Sequence, residues 1–272
     1  MTEPFHTIEL SDRNYEREGL RTLTVKSRAL GRRADMTVWV PEALRVSGLL
    51  ILLHGVWGSH WVWTLKGGVH RTAQRLVEMG EIAPMVIAMP SDGLQRDGSG
   101  YLTWPHAEDV ERWIVDEVPN AAQLAAPALT VDAPVAIGGL SMGGYGALRL
   151  GAKYADRFCG ISAHSSITHA SEFAHFIEEP LSDYQGVGSS EDLSVLHWLR
   201  NAGSRLPALR FDCGVKDTLI EANRALNQEL RRAEILHDYF EYPGGHEWSY
   251  WQEHIVQTLR FADRQFQARG HV

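Results

Sequence analysis

The sequence predicts an α/β protein built on a mostly parallel sheet with helices on both faces. Three observations carry that expectation. Apolar runs without alternation, such as GLLILLHG and MVIAMP, suit strands buried on both faces. Segments of helical spacing separate these runs, and strands alternating with helices pair in parallel through right-handed crossovers. The strands also end where chemistry could gather: His54, Pro90, Ser141, Ser165, Val215 and Pro243 fall at expected C-terminal ends. Open α/β sheets bind their ligands along that edge.

The elements follow in chain order. Within residues 20–41, RTLTVKSR and DMTVWVP read as an antiparallel hairpin joined by the turn-forming ALGRRA. GLLILLHG is the next strand, followed by a helix from Val69 to Met79. MVIAMP follows, ended by Pro90 and the loop SDGLQRDGSG. Residues from His106 to Val118 have helical spacing, with Val110, Ile114 and Val118 on one face. PVAIGGLS is then a strand and GYGALRLGAKY a helix. FCGISAHS, LRFDCGV and HDYFEYP complete a set of about eight strands. Further helices are expected near Ser171–Glu178, Leu219–Ala233 and Glu247–Gln265. The stretch from Ser165 to Asn201 is longer than an ordinary connection and is expected as a small cap or insertion within one domain.

Composition narrows the class. The 272 residues are 44% apolar and 22% charged, the profile of a globular protein. A net charge of -8 leaves no basic footprint for nucleic acid. No apolar stretch reaches the roughly 20 residues that span a bilayer, so no membrane partner is expected. MTEPFHTIEL lacks the basic and apolar regions of a signal peptide, and a cytoplasmic location is expected. The two cysteines, Cys159 and Cys213, sit in apolar runs and read as reduced and buried. His164, His169 and His175 show no metal-ligand spacing, so neither metal nor cofactor is expected. The sequence leaves homo-oligomerisation open.

The chemistry centres on AIGGLSMGGYGAL. Gly139-Leu140-Ser141-Met142-Gly143 is a G-x-S-x-G pentapeptide between an apolar strand and a helix, the setting of a nucleophile elbow. A serine on so sharp a turn projects its hydroxyl past the sheet, and side chains two residues away on either side would collide with the flanking elements. The helix that follows aims its positive end at developing negative charge. A phosphate cradle and a plain tight turn are the competing readings; the phosphate motif G-x-x-x-x-G-K-[ST] is absent.

A serine hydroxyl needs a general base. Among thirteen histidines, His246 in YPGGHEWSYW follows the last strand and lies on a loop at the functional edge. A triad in the order Ser, Asp or Glu, His places the acid after an intervening strand. Asp217, just past LRFDCGV, fits. Asp212 falls inside that strand, and Glu221 falls on the following helix. Asp217 would orient the imidazole and stabilise its protonated form. Two backbone N–H groups should hold the oxyanion: that of Met142, and that of Val56 with Trp57 as the alternative. Tryptophans crowd the same edge. Trp57, Trp61, Trp104 and Trp248 are candidates for a substrate wall, whereas Trp251 reads as packing.

LLHGVWGSHWVW, GLSMGGYGAL, the aspartate after LRFDCG and PGGHEWSYW together resemble the α/β-hydrolase "Putative esterase" (esterase D-like) family, over roughly residues 20–265. That family includes S-formylglutathione hydrolases, tributyrin-type esterases, feruloyl and acetyl-xylan esterases, and mycolyltransferases. The resemblance implies the α/β-hydrolase fold, with Ser141 as nucleophile, Asp217 as acid, His246 as base and the Val56 and Met142 N–H groups as oxyanion hole. The loop after GLLILLHG lacks the cysteine-bearing motif associated with S-formylglutathione hydrolases. Its H-G-x-x-G-x-H-x-x-W pattern is closer to bacterial tributyrin-type esterases. The expected function is serine-dependent hydrolysis of short-chain acyl or of carbohydrate or aromatic esters, small molecules in each case. Acyl transfer to an alcohol is the alternative from the same chemistry. A non-catalytic hydrolase-fold binding protein is the alternative from another class, and a missing triad member would favour it.

Overall fold

The computed structural model describes residue 5 and residues 7–94, 96–104 and 109–270. Its strands are β1 (Ile8–Leu10), β2 (Leu20–Lys26), β3 (Arg33–Trp39), β4 (Leu49–Leu53), β5 (Val86–Pro90), β6 (Val135–Leu140), β7 (Gly160–His164), β8 (Ala208–Gly214) and β9 (Asp238–Tyr242). They form one sheet in the order β1-β2-β3-β5-β4-β6-β7-β8-β9. β1 to β3 and the β3–β5 junction are antiparallel, and every pair from β5 to β9 is parallel. Among the described residues the sheet has nine strands against an expectation of about eight. The extra one, β1, spans three residues and is too short to show alternation; it pairs Ile8 with Val25.

The helices are α1 (Val62–Leu65), α2 (Val69–Glu78), α3 (Val110–Arg112), α4 (Val118–Ala125), α5 (Met142–Lys153), α6 (Leu181–Gln185), α7 (Val195–Ala202), α8 (Ile220–Arg232) and α9 (Trp248–Gly270). Successive side chains of β4 show how they cover the sheet. Leu49, Ile51 and Leu53 join a core with Ile114, Tyr145 and Leu148, whereas Leu50 and Leu52 join a second core with Leu76, Ile255 and Leu259. A strand with period two can be apolar throughout only when both faces are covered. β2, at the sheet's flank, alternates instead, with Leu23 and Val25 buried and Thr22 exposed.

Two segments depart from expectation. His106 and its neighbours through Glu108 lie outside the described residues. The helix is seen from Val110, where the Asp109 side chain accepts the Arg112 N–H at 2.9 Å. It then runs beyond Val118 through a π turn, Trp113–Glu117, into α4. Pro119, without an N–H to donate, sits where the widened turn ends. The helix expected over Ser171–Glu178 is a 3₁₀ turn, Ala170–His175.

From Ser165 to Asn201 the chain forms that turn, α6 and most of α7. Phe173 meets Tyr145 edge-on at 5.4 Å, and Leu199 is buried. Among the described residues no helix is long and apolar enough to cross a membrane. Cys159 and Cys213 are free and buried, and burial pushes the Cys159 thiol up to about 11.

Candidate active site

Ser141 alone separates the end of β6 from the start of α5. It turns the chain with φ +54° and ψ −119°, a conformation that a serine adopts only under constraint. Two close approaches permit the turn. A Cβ on Gly139 would lie 2.3 Å from the Gly143 carbonyl oxygen, and one on Gly143 would lie 2.3 Å from that of Leu53. Hydrogen bonds hold it: the Ser141 N–H donates to the His164 carbonyl, and the Tyr145 N–H donates to that of Ser141, each at 3.0 Å.

The side chains expected to act together do meet. The Ser141 hydroxyl lies 3.0 Å from His246 Nε2, and His246 Nδ1 lies 3.0 Å from both carboxylate oxygens of Asp217. The serine comes from the turn after β6, the aspartate from the loop after β8 and the histidine from the loop after β9. The last two loops are joined by backbone bonds at 2.9 Å, from the Val215 N–H to the Tyr242 carbonyl and from the Lys216 N–H to the Gly244 carbonyl. Parallel pairing of β8 and β9 thus brings residues 217 and 246 side by side.

Burial alone would raise the Asp217 carboxyl. The hydrogen bond and charge of His246 outweigh it, with the Leu219 N–H at 2.8 Å and Ser165 adding to them, and hold it below its ordinary value. Asp212 lies apart from His246. It is wholly buried in β8, where it meets His164 Nδ1 at 2.9 Å, Arg210 at 2.5 Å and the Tyr250 hydroxyl at 2.7 Å. Glu221 is on α8, paired with Arg224 at 2.7 Å.

Two aromatic rings fix the imidazole. Phe176 stacks on His246 with centroids 4.7 Å apart and planes at 26°, and Trp251 meets it edge-on at 5.0 Å. The Trp251 indole also donates to Ser165 Oγ at 3.3 Å, so it packs and lines the cleft together. Sequence reasoning gave Phe176 no role. Nothing in the pattern of a single phenylalanine in an irregular segment marks it.

The loop after β4 lies against the serine, since a Cβ on Gly55 would come 3.3 Å from Ser141 Cβ. The Trp57 N–H donates to the Asp97 carbonyl at 3.0 Å. That leaves Val56 as the donor of the two considered. Among the described residues no acceptor pairs with the N–H of Val56 or of Met142. The first turn of α5 opens at Met142, beside the hydroxyl.

A cleft of about 440 Å³ contains Ser141 and His246, a volume suited to a small ligand. Trp57, Trp61 and Trp248 line it, as expected of a wall, and Trp57 is 61% exposed. Trp104 does not line it. That indole is buried, donates to the Ser99 carbonyl at 3.0 Å, meets Tyr184 edge-on and carries the Arg96 guanidinium 4.0 Å from its ring. Its neighbours complete its contacts and leave no face for a substrate. A larger hollow of about 840 Å³ lies at the N-terminal ends of β8 and β9, away from Ser141.

The arrangement of hydroxyl, imidazole, carboxylate and free N–H groups is equipped for acyl transfer. Known proteins similar to this chain are esterases. A family model described as "Putative esterase" matches residues 27–262. An acetyl esterase of Caldicellulosiruptor saccharolyticus is 29% identical over 79% of this chain and 83% of its own length. An esterase of Mycobacterium tuberculosis strain H37Rv is 25% identical over 88% of this chain, which spans 58% of that relative. A solved ferulic acid esterase superposes with a TM-score of 0.76 at 26% identity, covering 96% of this chain and 99% of that one.

Proposed function

The chain belongs to the "Putative esterase" family of α/β-hydrolase esterases, and on that premise we propose that it hydrolyses carboxylic esters through an acyl-enzyme formed on Ser141. The observation that carries the reading is the continuous chain of contacts from the Ser141 hydroxyl through His246 to Asp217, each 3.0 Å long.

In this mechanism His246 Nε2 takes the Ser141 proton as Oγ attacks the ester carbonyl. The N–H groups of Val56 and Met142 receive the oxyanion, supported by the N-terminus of α5. Asp217 accepts from Nδ1–H, which keeps Nε2 free as the base and then stabilises the imidazolium. The imidazolium returns its proton to the departing alcohol. Water, activated by the same nitrogen, attacks the acyl carbonyl, and the acid leaves with Ser141 restored.

The cleft favours a small or flat acyl group, and the acetyl esterase relative supports a short one. Trp57, Trp61 and Trp248 offer rings on which an aromatic or sugar alcohol would stack. Residues 165–201 act as a partial cap, through Phe176 against His246. Two unpaired cysteines support a cytoplasmic setting. A panel of p-nitrophenyl, feruloyl and acetylated-sugar esters tests the reading, with product analysis in the presence of an alcohol acceptor to distinguish hydrolysis from transfer. Turnover of short-chain esters that disappears in Ser141→Ala is expected. An inert wild-type protein contradicts the reading.

A further inference from the structure

Trp57 has φ +62°, a left-handed conformation rare for a bulky residue, so its surroundings must hold it in place. They do so through a closed ring of hydrogen bonds. The Trp57 backbone N–H donates to the Asp97 carbonyl at 3.0 Å, and the Trp57 indole N–H donates to the Phe176 carbonyl at 3.0 Å. Asp97 Oδ2 in turn accepts the N–H groups of Glu178, at 2.6 Å, and Glu179, at 3.2 Å. Ile177 alone stands between Phe176 and Glu178, so the ring closes through a short stretch of backbone. A second tie runs beside it, from the Tyr184 hydroxyl to the Gly98 carbonyl at 2.7 Å.

The ring joins three loops that carry different parts of the site. One, after β4, holds Val56. Another, after β5, holds Asp97. The third carries Phe176, whose ring stacks on His246. Asp97 itself is bonded to neither Ser141 nor His246. Its carboxylate is half-buried and, among the described residues, accepts from backbone N–H groups, a charge-assisted pairing stronger than a neutral one. Without it, Phe176–Glu179 keep only the ties of Glu179 Oε2, to the Asp97 N–H at 3.4 Å and the Tyr184 hydroxyl at 3.0 Å, and the turn bonds to Phe173, so the indole's acceptor is held less firmly and the strained Trp57 backbone can relax.

We propose that Asp97 is a positioning residue for ester hydrolysis: by pinning Phe176–Glu179 to the Trp57 loop, its carboxylate sets the aim of the Val56 N–H and the stacking of Phe176 on His246 together. This inference rests on the esterase reading above. A displacement of an ångström at an oxyanion donor can cost about 10²-fold in rate.

The test measures kcat and KM on p-nitrophenyl acetate, with ethyl acetate as a second substrate whose alcohol has no ring to stack on the tryptophans. Complete labelling by a fluorophosphonate counts intact sites in each preparation. Asp97→Ala is expected to lower kcat roughly 10- to 100-fold with KM changed by less than about 3-fold and labelling still stoichiometric. Asp97→Asn keeps an acceptor oxygen and is expected to recover to within about 5-fold of wild type. Trp57→Phe, which keeps an aromatic ring but not the indole N–H, should lower kcat as well. The double variant should be no worse than Asp97→Ala, because both changes open the same ring.

Wild-type kcat in Asp97→Ala, a loss confined to KM, an asparagine variant no better than alanine, or multiplying effects would each overturn the proposal. If Asp97→Ala does not fold, Trp57→Phe still decides it: wild-type kcat in that variant overturns the proposal. Wild-type protein inert toward the ester sinks the function reading, and this inference with it.

Discussion

Asp217 shows how a single side chain links the site to stability. Its carboxyl is buried, which opposes ionisation, yet contact with His246 and the Leu219 N–H holds it below its ordinary value of 3.8. A depressed folded-state value means that the ionised carboxylate stabilises the fold above pH 3.8, and that this contribution disappears as pH falls through the lower folded value. Asp217→Asn removes it. The difference in unfolding free energy between wild type and this variant should therefore narrow below pH 3.8, as read by denaturant titrations across that range. At neutral pH the same variant should lose about 10²- to 10⁴-fold in kcat, because a neutral amide in place of the carboxylate no longer fixes the tautomer of His246. The acid, the base and the serine were legible from chain order and strand ends. Phe176 was not, since ring stacking on a histidine far along the chain leaves no local pattern. Trp104 read as a wall residue because its loop lies at the same edge of the sheet as the other tryptophans, whereas burial against Tyr184 and Ser99 decides its role.

Among elements, the β6–α5 junction depends most on atom-scale fit. Gly143→Ala would drive a methyl group to 2.3 Å from the Leu53 carbonyl oxygen, and that oxygen belongs to β4 in the middle of the sheet. Backbone cannot yield there as a flexible side chain would. The variant should lose about 1–3 kcal/mol in urea unfolding, and its kcat should fall because the helix start and the Met142 N–H move with it. Gly80→Ala meets nothing within 4 Å and serves as a control for steric effects, although its φ of +69° adds backbone strain alone. Long elements with a clear period were legible in the sequence: α2, α5, α8, α9 and the buried strands. Short ones were not. β1, α1 and α6 span three to five residues, fewer than a full hydrophobic repeat. The π turn at Trp113–Glu117 follows from backbone bonding ahead of Pro119, which side-chain spacing does not report.

At the scale of the whole molecule, the sheet brings together residues more than a hundred positions apart, and a buried polar network ties its strands below the site. Asp212 on β8 bonds His164 on β7, Arg210 on its own strand and Tyr250 on α9. Arg210 in turn donates to Ser162 at 2.9 Å. His164 and Asp212 also accept the N–H groups of Ser141 and Ser165 through their carbonyls. Asp212→Ala would strand the buried Arg210 charge and should cost about 3–5 kcal/mol in stability, measured by thermal and denaturant unfolding. The fold thus serves the site by fixing strand ends, and the decisive question is whether the serine placed there takes up an acyl group. Rapid mixing with p-nitrophenyl acetate, acid quench and mass spectrometry of the peptides answer it most directly. The account requires an acetyl group on the peptide containing Ser141, formed in a burst of p-nitrophenol and absent in Ser141→Ala. Ester cleavage at an undiminished rate in Ser141→Ala, or an acetyl group that accumulates on another residue, would contradict it.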